Sequence, residues 1–277
     1  MDYSLKLLYF FAFLGGSVIF IYTLYTIYQN IKLKKILALP FKKEYKEYLK
    51  NTPYYEKLPP KDKEKIEKSI LIFINTKQFI GIGLDITEEM KVIIAFYACL
   101  LLLHKNSCYE NLNTIIVYPT AMIVSMLSHS NGIYTKDKFL IDGQSSNDTV
   151  IISWHDAKKE AYHLRYNNVI IHEFTHEIDF MSGEINGVPP LEKSKYHEWV
   201  QILFDDFKKL NNVALKNRDW NKYKILGSYA ATNEAEFFAV VTERFFESPK
   251  VLKKHFPELY KELKEFYEID PVKLLQV

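Results

Sequence analysis

The sequence predicts an α+β domain, rich in helix and with a small sheet, preceded by one transmembrane helix. Three observations support this: an uncharged apolar run near the N-terminus, several segments with apolar residues at helical spacing, and two short β-branched runs. The chain has 277 residues, 48% hydrophobic and 25% charged, which is ordinary for a globular protein. We divide it into an anchor with its basic flank (residues 1–40) and a domain (residues 41–277), long enough for one large core or two small ones.

The anchor is predicted from residues 7–31, which carry no charge. A helix of this length crosses a hydrocarbon layer of about 30 Å. A cleaved signal peptide is the alternative, but its apolar core has about 7 to 15 residues and ends at small side chains. This run ends in tyrosines followed by Lys32, Lys34 and Lys35. We therefore predict a retained single-pass anchor, and the positive-inside rule places the domain in the cytoplasm.

The charge is distributed unevenly along the chain. Residues 32–68 contain twelve lysines and six acidic residues, although the net charge of the whole chain is only +2. A basic segment beside a slightly acidic body is typical of a juxtamembrane segment, and it argues against a nucleic-acid partner. The two cysteines, Cys99 and Cys108, form no CxxC pair and no disulfide framework.

The remaining elements follow from periodicity and from start and stop signals. Thr87 is of the type that caps a helix, and Glu88 and Glu89 follow it in the first turn. Helices are predicted at residues 61–77, from Thr87 through 92–103, at 168–181, 191–210 and 233–246, and from Pro257 to before Asp270. Strands are predicted at residues 114–118 and 149–154, with turns at Asn131-Gly132 and Asp142-Gly143. The rest of residues 120–148 reads as loop.

The segment VIIHEFTHEID, residues 169–179, carries the decisive motif. His172 and His176 are four residues apart and lie on one face of a helix. Two imidazoles so placed can bind one zinc ion, with Glu173 as the general base for a water whose pKa the metal lowers. Asp179, one turn further on, could accept the outer N–H of a ligand imidazole or form a salt bridge on the helix face.

A catalytic zinc needs a third protein ligand. No HxxGxxH extension follows His176, so a third histidine of that type is excluded. The segment SYAATNEAEFFAV, residues 228–240, offers Glu234 and Glu236, and Glu243 follows. Spacing alone does not choose among these three. His155 and His163 match no ligand pattern, and we interpret them as structural.

Beyond the motif, the chain resembles the Mlc titration factor A family of zinc-dependent peptidases. The resemblance covers residues 41–272. It is carried by HEFTHEID with NGVPPLE after it, by NEAEFFAVVTERFFESP, by FPELYKELKEFYEIDP, and by GIGLDITEEMKVIIAFYACLLL upstream. SYAATNEAEFFA also resembles the zinc-site segment of the catalytic domain of anthrax lethal factor. The resemblance implies a zincin-like metallopeptidase fold.

By position, the resemblance implies that Glu236 is the third zinc ligand. It also implies that Tyr229 points at the metal, where its hydroxyl would stabilise an oxyanion or supply a proton; a packed tyrosine is the alternative. Glu243, two turns past Glu236, is a further candidate for holding a ligand imidazole. Residues 150–154 would form an edge strand that pairs with extended substrate.

Two functions from different classes follow, with a third as a lesser alternative. The first is a membrane-anchored zinc peptidase acting on a peptide or protein substrate. The second is a regulatory protein that sequesters a partner such as a transcriptional repressor, because the family archetype is named for such binding. The third is a tethered scaffold whose lysine-rich segment binds anionic lipid. The intact HExxH motif and third-ligand position favour the first.

Overall fold

The structure, a computed structural model, describes residues 3–105, 109–120, 122–130, 133–141, 143–146, 148–165, 167–216 and 220–277. For Ser4 and residues 122–146 it describes the backbone only. Cys108, the predicted Asn131-Gly132 turn and Asp142 lie outside the described residues. The chain divides into two compact units, Met1–Phe41 and Lys42–Val277.

The first unit is built around helix α1, Tyr3–Leu37. Its stretch Leu5–Leu37 is long and apolar enough to cross a membrane, judged by length and composition, and no residue of its most apolar window is buried. An N-terminal signal sequence meets the same criterion. Lys34 and Lys35 lie in the last turn of this helix.

The second unit contains ten further α-helices and six strands among its described residues. The helices are α2 (Lys43–Lys50), α3 (Pro60–Thr76), α4 (Glu88–Leu101), α5 (Trp154–Ala161), α6 (Val169–Phe180), α7 (Lys193–Leu215), α8 (Glu234–Glu247), α9 (Pro249–His255), α10 (Pro257–Tyr267) and α11 (Pro271–Leu275). The strands are β1 (Gln78–Gly81), β2 (Thr114–Tyr118), β3 (Met122–Ser130), β4 (Ile133–Ile141), β5 (Gly143–Ser146) and β6 (Thr149–Ser153). The predicted helix-rich α+β class is confirmed.

Side-chain caps fix where the central helices begin. Thr87 accepts a hydrogen bond from Met90 N at 3.2 Å and starts α4, as its sequence position predicts. Asn168 caps α6 and Asn233 caps α8 in the same way, each accepting from the amide three residues on. Each cap satisfies an amide that has no partner within its helix.

The main sheet has the strand order β1-β2-β6-β5. Strands β1, β2 and β6 run parallel, and β5 pairs antiparallel with β6. Strand β6 therefore has neighbours on both sides, so the expectation that residues 150–154 form an edge strand is wrong. The segment is too apolar for an edge, with Val150 and Ile152 fully buried. The edge next to it is β5.

The loop predicted for most of residues 120–148 is also wrong. This region forms β3 and β4, which pair with each other as an antiparallel hairpin, and then β5. Polar residues interrupt the apolar ones in both hairpin strands, so neither segment shows a strong pattern alone. Each strand is stabilised by pairing with the other, and the composition of one segment does not reveal that partner.

Helix α6 lies at the centre of the second unit. It packs against α4, against α8 and against strands β5 and β6. Phe174 is fully buried in an edge-to-face cluster with Phe73 and Tyr109. Helix α4 is buried at Met90 and from Val92 to Leu101, and it packs against α6. A helix packed on every side holds its polar residues in fixed positions, which suits a functional site.

Candidate metal centre

Two histidines of α6 face each other one helical turn apart. Their Nε2 atoms are 3.3 Å apart, and each residue is only 9% exposed. They are buried because the apolar residues of VIIHEFTHEID pack around the rest of the helix. Burial costs a polar ring free energy unless it finds partners, so these imidazoles must be satisfied from a neighbouring element.

That element is α8, which brings a carboxylate to the pair. Glu236 Oε2 lies 3.0 Å from His172 Nε2 and 3.5 Å from His176 Nε2. The three donor atoms lie within 4.8 Å of one another, and the three residues form the one such group found among the described residues. Of the candidate third ligands, Glu236 is therefore the one near both rings, while Glu234 and Glu243 stand outside the group.

Glu243 contacts the opposite side of His172. Its Oε1 lies 2.7 Å from Nδ1, and because a carboxylate only accepts, the ring nitrogen must donate. In the neutral ring this leaves the lone pair on Nε2 facing the oxygen of Glu236. Two acceptors this close need either a proton on the ring nitrogen or a cation between them, and two imidazoles with a carboxylate at this spacing fit a divalent metal ion.

The pKa values in the metal-free protein also show that the site favours a positive charge. Burial lowers the pKa of His172, but hydrogen bonds to Glu236 and Glu243, with the charges of Glu243 and Glu173, outweigh burial and raise it well above its usual value. Burial raises the pKa of Glu236, but the two histidines outweigh burial and hold it well below its usual range. A proton on His172 thus takes the place that a metal cation would fill.

Glu173 lies between the two histidines in sequence and is 3% exposed. Its charge acts on both His172 and Tyr229. It is therefore a buried carboxylate within the electrostatic reach of the donor group, as a general base must be.

Tyr229 stands at the mouth of the site, in a short 3₁₀ helix, Tyr229–Ala231, just before α8. The residue is 57% exposed, and its ring centroid is 5.8 Å from that of His172. Burial of the hydroxyl, with the charge of Glu236 and a hydrogen bond to it, raises the pKa of Tyr229 well above its usual value. The hydroxyl therefore stays protonated at neutral pH and can donate a hydrogen bond.

Asp179 is fully buried and contacts the loop after α6. Its Oδ2 accepts from Gly187 N at 2.7 Å, and its Oδ1 has no hydrogen-bond partner among the described residues. Burial raises the pKa of Asp179 to about 6, despite the backbone hydrogen bonds that lower it. His155 and His163 lie outside the donor group.

Two further polar residues were missed by the sequence reasoning. Asn168 N donates to Glu243 Oε2 and its Nδ2 donates to Glu247 Oε1, both at 2.9 Å. Burial raises the pKa of Glu247 to about 8, although Arg165 N and Asn168 donate to it. Two signals existed: an asparagine of N-cap type before the motif, and Glu236, Glu243 and Glu247 at spacings of seven and four, which share one helical face.

A helix-rich α+β domain, with two histidines of one helix and a glutamate of another converging on one point, defines a metallopeptidase-type protein. The comparison with known families agrees. The model of the family described as glucose-regulated metallo-peptidase M90 matches residues 28–268, and this chain belongs to that family. Membership implies a metal cofactor, which His172, His176 and Glu236 could hold.

Individual relatives cover most of the chain. An uncharacterized protein of Synechocystis sp. is 34% identical over 227 residues, 79% of this chain and 81% of the relative. Mlc titration factor A of Serratia proteamaculans is 27% identical over 227 residues, 79% of this chain and 86% of the relative. Its namesake from Yersinia pestis is 26% identical over 235 residues, 82% and 84% of the two chains. The resemblance to the Mlc titration factor A family is thereby confirmed.

Proposed function

We propose that this protein is a zinc-dependent peptidase, held on a membrane by its N-terminal helix. The observation that supports it most is the convergence of His172, His176 and Glu236, whose donor atoms lie within 4.8 Å of one another beside the buried Glu173. Two imidazoles and one carboxylate are a ligand set used by catalytic zinc in peptidases.

Each side chain has a separate role in the proposal. His172, His176 and Glu236 hold the zinc, which when bound supplies a Lewis acid for water and for the substrate carbonyl. Glu173 accepts the proton that the attacking water loses and passes it to the leaving amine. Tyr229 donates its hydroxyl hydrogen to the oxyanion that develops on the substrate.

The substrate is a peptide or protein segment bound in extended form. Strand β5 is the edge of the main sheet nearest α6, and β6 is its one partner among the described strands. An extended peptide can add to such an edge through backbone hydrogen bonds. We therefore transfer to β5 the substrate-pairing role that the sequence resemblance gave to β6.

The test compares the purified wild-type protein with two variants, against a peptide library and with zinc content measured. Glu173→Gln should retain about one zinc per chain and lose hydrolysis, because it removes the base and keeps the ligands. His176→Ala should lose both zinc and activity. Near-normal turnover in Glu173→Gln would refute the role of Glu173, and a wild-type zinc content near zero would refute the site.

A second candidate function has one observation in its favour. Relatives from Serratia and Yersinia carry the name Mlc titration factor A, a name that suggests binding of a partner. In that case the metal centre would be structural and the protein would sequester a regulatory protein. Glu173→Gln separates the two: it would leave partner capture intact and abolish only hydrolysis.

We also propose that α1 is a retained anchor with the peptidase domain, residues 41–277, in the cytoplasm. The support is the apolar stretch Leu5–Leu37 with Lys32, Lys34 and Lys35 at its C-terminal end. A C-terminal tag should resist external protease in intact spheroplasts. Digestion of the tag from outside would reverse the orientation, and a mature chain beginning after about residue 38 would reveal a signal peptide.

A further inference from the structure

Tyr229 begins the second of two 3₁₀ helices, Asn221–Ile225 and Tyr229–Ala231, which are joined through Gly227 at φ +78°. Tyr229 itself is more than half exposed, so packing of its ring contributes little to where it stands. Besides its hydrogen bond to Glu236, the position of the hydroxyl therefore depends on how the backbone before it is held.

Arg244 holds that backbone from α8. Its Nε donates to Ile225 O at 2.6 Å, and its Nη1 donates to Asn167 Oδ1 at 3.2 Å. The residue is 7% exposed, and a charged donor in such a place makes a strong hydrogen bond. The anchored carbonyl is four residues before Tyr229 in the chain.

The choice of arginine fits this geometry. The chain has 36 basic residues and only three are arginines: Arg165, Arg218 and Arg244. A planar guanidinium donates from two nitrogens to two acceptors at fixed angles, which a lysine ammonium cannot reproduce. Arg244 is also two turns from Glu236 on the same helix, so one rigid element carries both a candidate metal ligand and the anchor of the Tyr229 segment.

We propose that Arg244 is a positioning residue, which holds Tyr229 beside His172 by fixing Ile225 to α8. The inference rests on the proposed peptidase function and deepens it. Its consequence is that Arg244 affects turnover through Tyr229 and leaves metal binding unaffected, because neither Ile225 O nor Asn167 Oδ1 belongs to the donor group.

The test is a double-mutant cycle of Arg244→Lys and Tyr229→Phe in the full-length, zinc-loaded protein. Arg244→Lys should lower kcat about 10- to 100-fold, since a displacement near 1 Å at a catalytic group has effects of that size, with zinc content and KM nearly unchanged. In the Tyr229→Phe background the same change should cost less than about threefold. Arg165→Lys, at an exposed arginine, is the matched control and should leave the rate unchanged.

A second readout is independent of activity. Amide hydrogen exchange, measured on the metal-free protein, should be faster in residues 225–232 of Arg244→Lys than in wild type, with α6 unchanged. Should Arg244→Lys fail to fold, Asn167→Ala is the second variant, because it removes the other acceptor of Arg244 at an exposed position. It should lower kcat by about 3- to 10-fold, with the same dependence on Tyr229 and the same exchange pattern.

Two results would overturn the positioning role, and a third would refute the function on which it rests. Equal rate losses in the two Tyr229 backgrounds would mean that Arg244 acts independently of Tyr229. Unchanged exchange in residues 225–232 would mean that the segment is not anchored by Arg244, whether or not the protein hydrolyses peptides. If exchange is faster in Arg244→Lys but the zinc-loaded wild-type protein hydrolyses no peptide, the anchor is confirmed, while the peptidase proposal and any catalytic purpose for the anchor are refuted.

Discussion

Replacement of Gly187 by alanine tests how the loop after α6 supports the metal centre. Gly187 has φ +79°, its N–H donates to Asp179 Oδ2 at 2.7 Å, and its carbonyl accepts from Trp199 Nε1 at 3.0 Å. A Cβ built there would lie 2.7 Å from Glu234 O and 3.2 Å from a Leu203 methyl. Glu234 is the first residue of α8, so the clash falls on the helix that carries Glu236.

The expected loss of stability has two parts. A non-glycine residue in the left-handed region costs about 1–2 kcal/mol. Forcing a methyl against a backbone oxygen at this distance requires α8 to shift, and overpacking of this kind costs about 1–3 kcal/mol. Gly187→Ala should therefore lower the free energy of unfolding by about 2–5 kcal/mol and, because α8 moves, weaken zinc binding.

Gly227→Ala is the matched control for stability. Gly227 has φ +78°, but a Cβ there would have nothing within 4 Å, so only the conformational cost of about 1–2 kcal/mol remains. Denaturant unfolding of both variants in detergent, followed by near-UV circular dichroism and paired with a zinc-chelator competition assay, measures the difference. Equal stability losses in the two variants, or an unchanged zinc affinity in Gly187→Ala, would refute the reasoning.

Three other predictions concern the side chains around the site. Tyr229→Phe should lower kcat about 100- to 1,000-fold with zinc retained, as expected for loss of one oxyanion donor; an unchanged rate would assign Tyr229 to packing. Glu243→Gln should weaken zinc binding about 10- to 100-fold, measured by chelator competition, because His172 loses its carboxylate partner. The control Glu234→Gln should leave zinc binding unchanged, and equal effects of the two variants would contradict the role of Glu243 in holding His172. Burial raises the pKa of Glu247 from 4.5 to about 8, so the folded state binds a proton that the unfolded chain releases, and the stability of the metal-free protein should fall as pH rises from about 5 to 8. Glu247→Gln should flatten that dependence in urea titrations across this pH range, and an unaltered slope would exclude Glu247 as its source.

The sequence predicts best what depends on local chemistry. The positions of α4 and α8 follow from capping residues and periodicity, and His172 with His176 follows from a spacing of four on one helix face. It predicts poorly what depends on pairing between distant segments. The local pattern predicts loop where the β3–β4 hairpin forms, and an edge position for β6, which β5 covers, because strand order is decided by contacts that a local pattern does not contain.

The candidate site shows the same division. Spacing alone does not choose among Glu234, Glu236 and Glu243 as the third ligand, because all three lie within three turns of α8. The family resemblance singles out Glu236 by position, and the packing of α6 against α8 gives the physical reason, with Glu236 beside Nε2 of His172 and Glu243 beside Nδ1. Likewise, the contact of Asp179 with Gly187 N depends on a loop path that the motif does not specify.

Helix α8 explains why different substitutions should separate metal binding from turnover. Along α6 and α8 the contacts run in opposite order: Asn168 meets Glu247 and Glu243, His172 meets Glu243 and Glu236, and His176 meets Glu236. A substitution that removes one of these contacts should alter one property. Substitution of Glu243, for example, should alter the zinc affinity of the protein. A change that moves α8 as a body should alter affinity, turnover and stability together, because donor atoms held by a packed helix cannot adjust one at a time. The pattern of effects across such variants therefore reports whether α8 acts as a single rigid support for the site.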